Sequence, residues 1–263
     1  MMQNRVRGFG LVEIMIAIVL GLFLVMGLYT MLSSSQQSYA LGRANSSLSN
    51  SGQRVNQLIW NQLHQAGFVN YQRRLLNQPL PAANGWLKNQ SVSGDNDLNT
   101  AGVMADTDRL RIRFRGSSVG DNDPAQSAVT TADGRMVNCN GTAIGNTQLL
   151  TVTLFVNTSN ELICEDSMGN SVVMDRNIES LQFRFRRSGN DEPFVTADNV
   201  GAANWASIVA VEFSVLASMP SGQRVEATAR DYQLLDKSID AAADRNLRQV
   251  LNGSITLRNL GVD

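Results

Sequence analysis

Hydrophobic positions along the chain fall into three regimes. From Phe9 to Leu32 the residues are almost uniformly apolar, broken by one carboxylate, Glu13. About 24 such residues, rising 1.5 Å each, reach across a hydrocarbon layer of ~30 Å. A helical period follows: Leu41, Leu48 and Val55 recur at heptad spacing, with Ala44, Leu58, Ile59 and Ala66 in adjacent positions. That spacing gathers an apolar stripe on one side of a helix. No proline occurs before Pro79. The first two regimes therefore predict one helix from Phe9 to about Ala66, roughly 85 Å long, ended by Gly67.

The third regime has period two. Arg109 to Arg115 alternates strictly, one face apolar and the other basic, as a half-buried strand does. Leu149–Val156 and Glu161–Glu165 read as strands joined by a hairpin at Asn157–Asn160. Ile178–Arg186 is a further strand, and Ala206–Ala217 with Arg224–Ala229 form a late pair around Pro220-Ser221-Gly222. A short helix over Ala241–Leu251 precedes a closing strand at Ile255–Asn259, while Asn77–Asn99 is polar and turn-prone. The fold class is α+β, with one N-terminal helix laid on an antiparallel sheet.

Charge changes the picture at the N-terminus. Arg5 and Arg7 precede the apolar run and the next basic residue is Arg43. The positive-inside rule then leaves the N-terminus in the cytoplasm and the rest of the chain outside. A cleavable secretory signal would be shorter and end in a small-x-small site, which is missing here. A plain anchor explains the run but not Glu13, because a carboxylate in lipid is costly and marks a function or a partner.

The basic leader, Gly8, Phe9 and a carboxylate at the fifth residue of an apolar helix together resemble a type IV prepilin signal. The resemblance implies cleavage between Gly8 and Phe9 by a prepilin peptidase, N-methylation of Phe9, and pairing of Glu13 with the terminal amine of a neighbouring subunit. The motif reads FGLVE where many members read FTLIE. Such an amine is cationic at neutral pH, and two opposite charges in a low-dielectric bundle offset each other's desolvation.

The head narrows the resemblance. Asp108 to Phe114 (DRLRIRF), Ile178 to Phe185 (IESLQFRF), Ile255 to Asn259 (ITLRN) and the Cys139/Cys164 pair are similar to PilW-type minor pilins. This implies a leader at 1–8, a transmembrane and assembly half at 9–32, a soluble half-helix at 33–67, and a β-rich head at 68–263. It further implies a low-abundance subunit that primes type IV pilus assembly and sits at the tip. Expected partners are the major pilin, PilV-, PilX-, FimU- and PilE-like minor pilins, and a PilY-type tip adhesin. A GspJ-like pseudopilin of type II secretion shares the signal and stays open as an alternative, as does a DNA-uptake or adhesion pilin.

The remaining chemistry is sparse. Cys139 and Cys164 are the two cysteines among 263 residues. They are too few for a zinc site and suit a disulfide outside the cytoplasm, or two separate core residues in a reducing compartment. A net charge of −1 argues against duplex nucleic acid as a partner, so the arginines at 109, 111, 113, 115, 184, 186 and 187 read as a solvated sheet face or cross-strand pairs. Gly94-Asp95-Asn96-Asp97 and Gly120-Asp121-Asn122-Asp123 look alike, and Asp95, Asp97, Asn99 and Asp106 approach calcium-loop spacing. Thr100 stands where an EF-hand needs glycine, and Asp106 where it needs glutamate, so Asx-rich turns are the simpler reading. With His64 the single histidine and no phosphate loop or GxSxG, no enzyme, cofactor or metal is expected.

Overall fold

A computed structural model describes residues 10–70, 80–121, 130–189, 192–220 and 228–259. Helix α1 runs from Leu11 to Gln65, 55 residues without a break. It starts because extended Gly10 offers its carbonyl to the amides of Glu13 and Ile14, at 3.0 and 3.3 Å. It stops at Gly67, whose φ of 74° only glycine adopts freely. A Cβ there would also strike the Asn259 carbonyl. The Gly67 amide turns away to donate to the Arg113 carbonyl at 2.9 Å.

Five antiparallel strands form a meander in sequence order: β1 (Val92–Leu98), β2 (Thr107–Arg115), β3 (Leu149–Val156), β4 (Glu161–Asp166) and β5 (Ser171–Arg176). A second sheet has the order β10-β7-β6, built from β6 (Ile178–Arg187), β7 (Ile208–Pro220) and β10 (Asn246–Thr256). Strands β8 (Thr228–Leu234) and β9 (Lys237–Asp244) make a separate hairpin, and the short helix α2 (Ala197–Val200) precedes a 3-10 turn at Ala202–Ser207.

Alternation decides which side chains enter the core. Leu110, Ile112 and Phe114 of β2, with Leu150, Val152 and Leu154 of β3, are fully buried against Leu181, Phe183 and Phe185 of β6 and Phe213 of β7. Ala44, Leu48, Ser51, Gly52, Val55, Ile59, Gln62 and Leu63 form the buried stripe of α1. This stripe touches β2 and β5 of one sheet and β7 and β10 of the other, so the helix spans the seam between the sheets. Two glycines permit the approach. A Cβ at Gly52 would run into the Leu251 side chain, and one at Gly253 would meet the Phe213 ring and Asn56.

Several expectations need correction. The α+β fold is as expected, one long helix on an antiparallel head, but the head is divided into two sheets and a hairpin. Ala241–Leu251 is not a helix but the end of β9 and the start of β10: its helix-forming alanines lie on β9, held by the ladder to β8, and Leu247 lies on β10, which pairs with β7 along all 11 of its residues. The late pair is also wrong, since β7 pairs with β6 and β10 while β8 pairs with β9; residues 224–227 lie outside the described residues. Part of the polar Asn77–Asn99 stretch is β1, recruited by pairing with β2.

Candidate assembly site

The apolar half of α1 is an unpartnered surface. From Leu11 to Leu32 its large apolar side chains stand exposed, and the most apolar window of the helix has 0% of its residues buried. Length and composition suit a membrane-crossing segment. Glu13 lies in the first turn of this helix, exposed and near the positive end of its dipole. Gly8 and Phe9 lie outside the described residues, so the geometry of the expected cleavage site does not enter here.

Between this surface and the head lies a polar stretch. From Ser34 to Ala40 every residue is exposed, and the first buried position is Ala44. Head contacts then begin at once. Ser51 Oγ and the Arg54 guanidinium donate to Asp175 of β5 at 3.1 Å, and Asn259 Nδ2 donates to the His64 carbonyl at 2.9 Å. The His64 ring lies 4.5 Å from that of Trp60, a helix-surface contact.

The arginine row does not form one basic face. Arg109 and Arg111 converge on one oxygen of Asp95, Arg184 pairs with Glu212 at 2.8 Å, and Arg187 with Glu192 at 2.7 Å. Arg113 is buried, only 2% exposed. Its guanidinium donates to the carbonyls of Pro81, Leu87 and Gln90 at 2.8–3.1 Å and lies over the Trp86 ring. Burial, with the nearby Arg115 charge, lowers its pKa to about 10. Arg113 therefore pins the 80–90 loop onto the sheet, a role that alternation alone gave no sign of.

Asp108 is the second residue whose role the sequence concealed. It is 2% exposed, and its two oxygens accept the amides of Asp97, at 2.9 Å, and Phe183, at 2.7 Å. Phe183 sits on β6, the edge strand of the other sheet. The carboxylate thus staples one sheet to the other. Burial pushes its pKa up to about 7, against the two backbone bonds and with help from the charges of Asp97 and Asp236.

Cys139 and Cys164 form a disulfide with Cα atoms 5.6 Å apart, tying the 130–148 loop to β4. The acidic loops are engaged by protein groups. Asp95 holds two arginines, and Lys237 sits between Asp97 and Asp106 at 3.1 and 3.2 Å. Asp121 accepts from Asn70, Asn146 and the Ser118 amide; Asn122 and Asp123 lie outside the described residues. Among the described residues no three His, Cys, Asp or Glu side chains are grouped to hold a metal.

Comparison with known proteins bears on both halves. The family model of the type IV pilus-assembly protein W matches residues 142–259, which spans β3 to β10. The prokaryotic N-terminal methylation motif matches residues 3–29, a range that includes Gly8, Phe9 and Glu13. A type IV-like pilin from Thermus thermophilus is 15% identical over 81% of this chain and 98% of its own, with a TM-score of 0.45. No curated protein matches. A methylation motif at the start of the apolar helix and a PilW match over residues 142–259 make this chain similar to PilW-type minor pilins of the type IV pilus.

Proposed function

We propose that this minor pilin is cut between Gly8 and Phe9 by prepilin peptidase, leaving the leader 1–8 behind and Phe9 as an N-methylated terminus. Residues 9–32 hold it in the bacterial inner membrane, N-terminus inward and head in the periplasm. The same surface then packs among other pilin helices. The observation that carries this reading is the exposed apolar half of α1, continuous with a helix built into the head and carrying Glu13 in its first turn. In that bundle Glu13 pairs with the Phe9 amine of a neighbour, so a subunit that cannot supply the pair leaves a charge unmatched in a medium that penalises it.

In this reading the protein works with the major pilin, PilV-, PilX-, FimU- and PilE-like minor pilins and a PilY-type adhesin. Their complex primes the pilus, sits at its tip and supports twitching motility and adhesion. Mass spectrometry of the assembled protein should find N-methyl-Phe9 as its terminus; an intact Met1 would refute processing. Glu13→Ala should still be cleaved yet fail to join the complex. A deletion strain should lose surface pili and twitching while exporting proteins normally. The opposite phenotype would assign the chain to type II secretion as a GspJ-like pseudopilin.

A further inference from the structure

The outer face of the five-stranded sheet carries a half-open cavity of about 460 Å³. Its floor is formed by Arg109 of β2, Thr153 and Phe155 of β3, and Glu165 of β4, and its wall by the 100–103 turn. That turn is fixed from both sides: the Val103 amide donates to the Thr100 carbonyl, Gly102 takes a φ of 84°, and Val103 bridges to Asn157.

The two charged groups on this floor do not meet. Arg109 is held through Nε by Asp95 at 2.7 Å, and among the described residues its two terminal nitrogens have no protein partner. Glu165 takes one bond, from the Ser171 hydroxyl at 3.3 Å. β3 lies between the strands that carry them, and Glu165 is in register with Arg111 through Thr153, so the Arg109 and Glu165 backbones are two strand spacings across and two residues along, roughly 12 Å apart. Arg109 and Arg111 also share Asp95, which leaves the β2 side of the cavity with more positive than negative charge. A guanidinium and a carboxylate facing each other across a gap, with an aromatic ring between, are complementary to a small zwitterion bearing an apolar side chain.

We propose that this cavity binds such a ligand: an α-carboxylate on the terminal nitrogens of Arg109, an α-ammonium on Glu165, and an aliphatic side chain over Phe155. Free amino acids and short peptides both carry this chemistry. The site is independent of the membrane helix, and its test does not depend on pilus assembly.

The test is calorimetric titration of the full chain in detergent micelles with L-leucine, glycyl-leucine, N-acetyl-leucine and leucinamide. L-leucine or glycyl-leucine should bind saturably, and the tighter of the two identifies the source as free amino acid or peptide. N-acetyl-leucine, lacking the ammonium, and leucinamide, lacking the carboxylate, should each bind at least about tenfold more weakly, as loss of one charged hydrogen bond requires. Glu165→Gln should weaken L-leucine by a similar factor and leave N-acetyl-leucine unchanged, with the melting temperature preserved. The proposal is overturned if neither zwitterion binds, if the blocked analogues bind as well as leucine, or if Glu165→Gln changes nothing. It is also overturned if no small ligand binds and Glu165→Gln instead releases another pilin from the co-purified complex, which would make the cavity a protein contact.

Discussion

Asp108 shows what one buried carboxylate can do for a two-sheet head. Its two amide partners lie on β1 and β6, so it joins strands that share no backbone ladder. The carboxyl titrates at about 7 in the folded protein against an ordinary value of 3.8. The folded state therefore binds the proton more tightly, and the contribution to stability is full below pH ~4 and is lost as pH rises toward 7. Each unit is worth on the order of 1.4 kcal/mol. Chemical denaturation of the wild type from pH 4 to 8 should show this fall, and Asp108→Asn should remove that part of the slope. A slope unchanged in the variant would assign it to other groups. Cys139 and Cys164 act at the same scale. The disulfide closes a loop spanning 25 positions, worth roughly 3 kcal/mol in the chain-entropy account. Cys139→Ser with Cys164→Ser should lower the denaturation midpoint accordingly without altering the fold seen by circular dichroism.

At the scale of elements, sequence pattern was informative where burial was one-sided. β2, β3, β4 and β6 lie close to where the period-two pattern puts strands, with β3 alternating along its whole length, and α1 ends before Gly67 as its turn chemistry requires. Pattern failed where tertiary pairing overrode local preference. Strand β10 carries alanine-adjacent, helix-compatible residues, yet β7 fixes it throughout, and Asp244 to Arg248, an i,i+4 spacing that suits a helix, closes an ion pair here with Glu179 as a third member. Strand β1 reads as a turn because Gly94, Asp95, Asn96 and Asp97 favour turns; Asp95 and the ladder to β2 hold it extended. The exposed apolar half of α1 was legible from composition. The roles of Arg113 and Asp108 were not, because alternation tells which face a residue takes and says nothing of the loop or sheet that later covers it. The close approach of α1 to β10 adds a test. Gly253→Val would force branched bulk against the Phe213 ring and Asn56, and overpacking of this kind costs about 1–3 kcal/mol. Thermal melting should register it, whereas the same change at Gly42, which has open space around it, should not disturb the head.

For the whole molecule, α1 is one rod with an exposed apolar half and a half built into the head. Its buried positions begin at Ala44, and the residues from there onward carry the stripe that closes the seam between the sheets. The stripe that supports the head and the surface that the proposed assembly would use therefore lie on different parts of one helix. Removal of residues 1–35 takes away the exposed apolar surface and Glu13 but none of the buried stripe, so the truncated protein should be soluble and melt as the full chain in detergent does. Removal of residues 1–50 also deletes Ala44 and Leu48, two buried side chains. Large-to-small losses in a core cost about 2–5 kcal/mol, and here the neighbouring apolar surface would be left open to water as well. Comparison of the two truncations by differential scanning calorimetry locates the boundary: a large drop for the shorter protein alone places the folding unit after residue 35, and equal melting would show that the head closes without the first turn of its stripe.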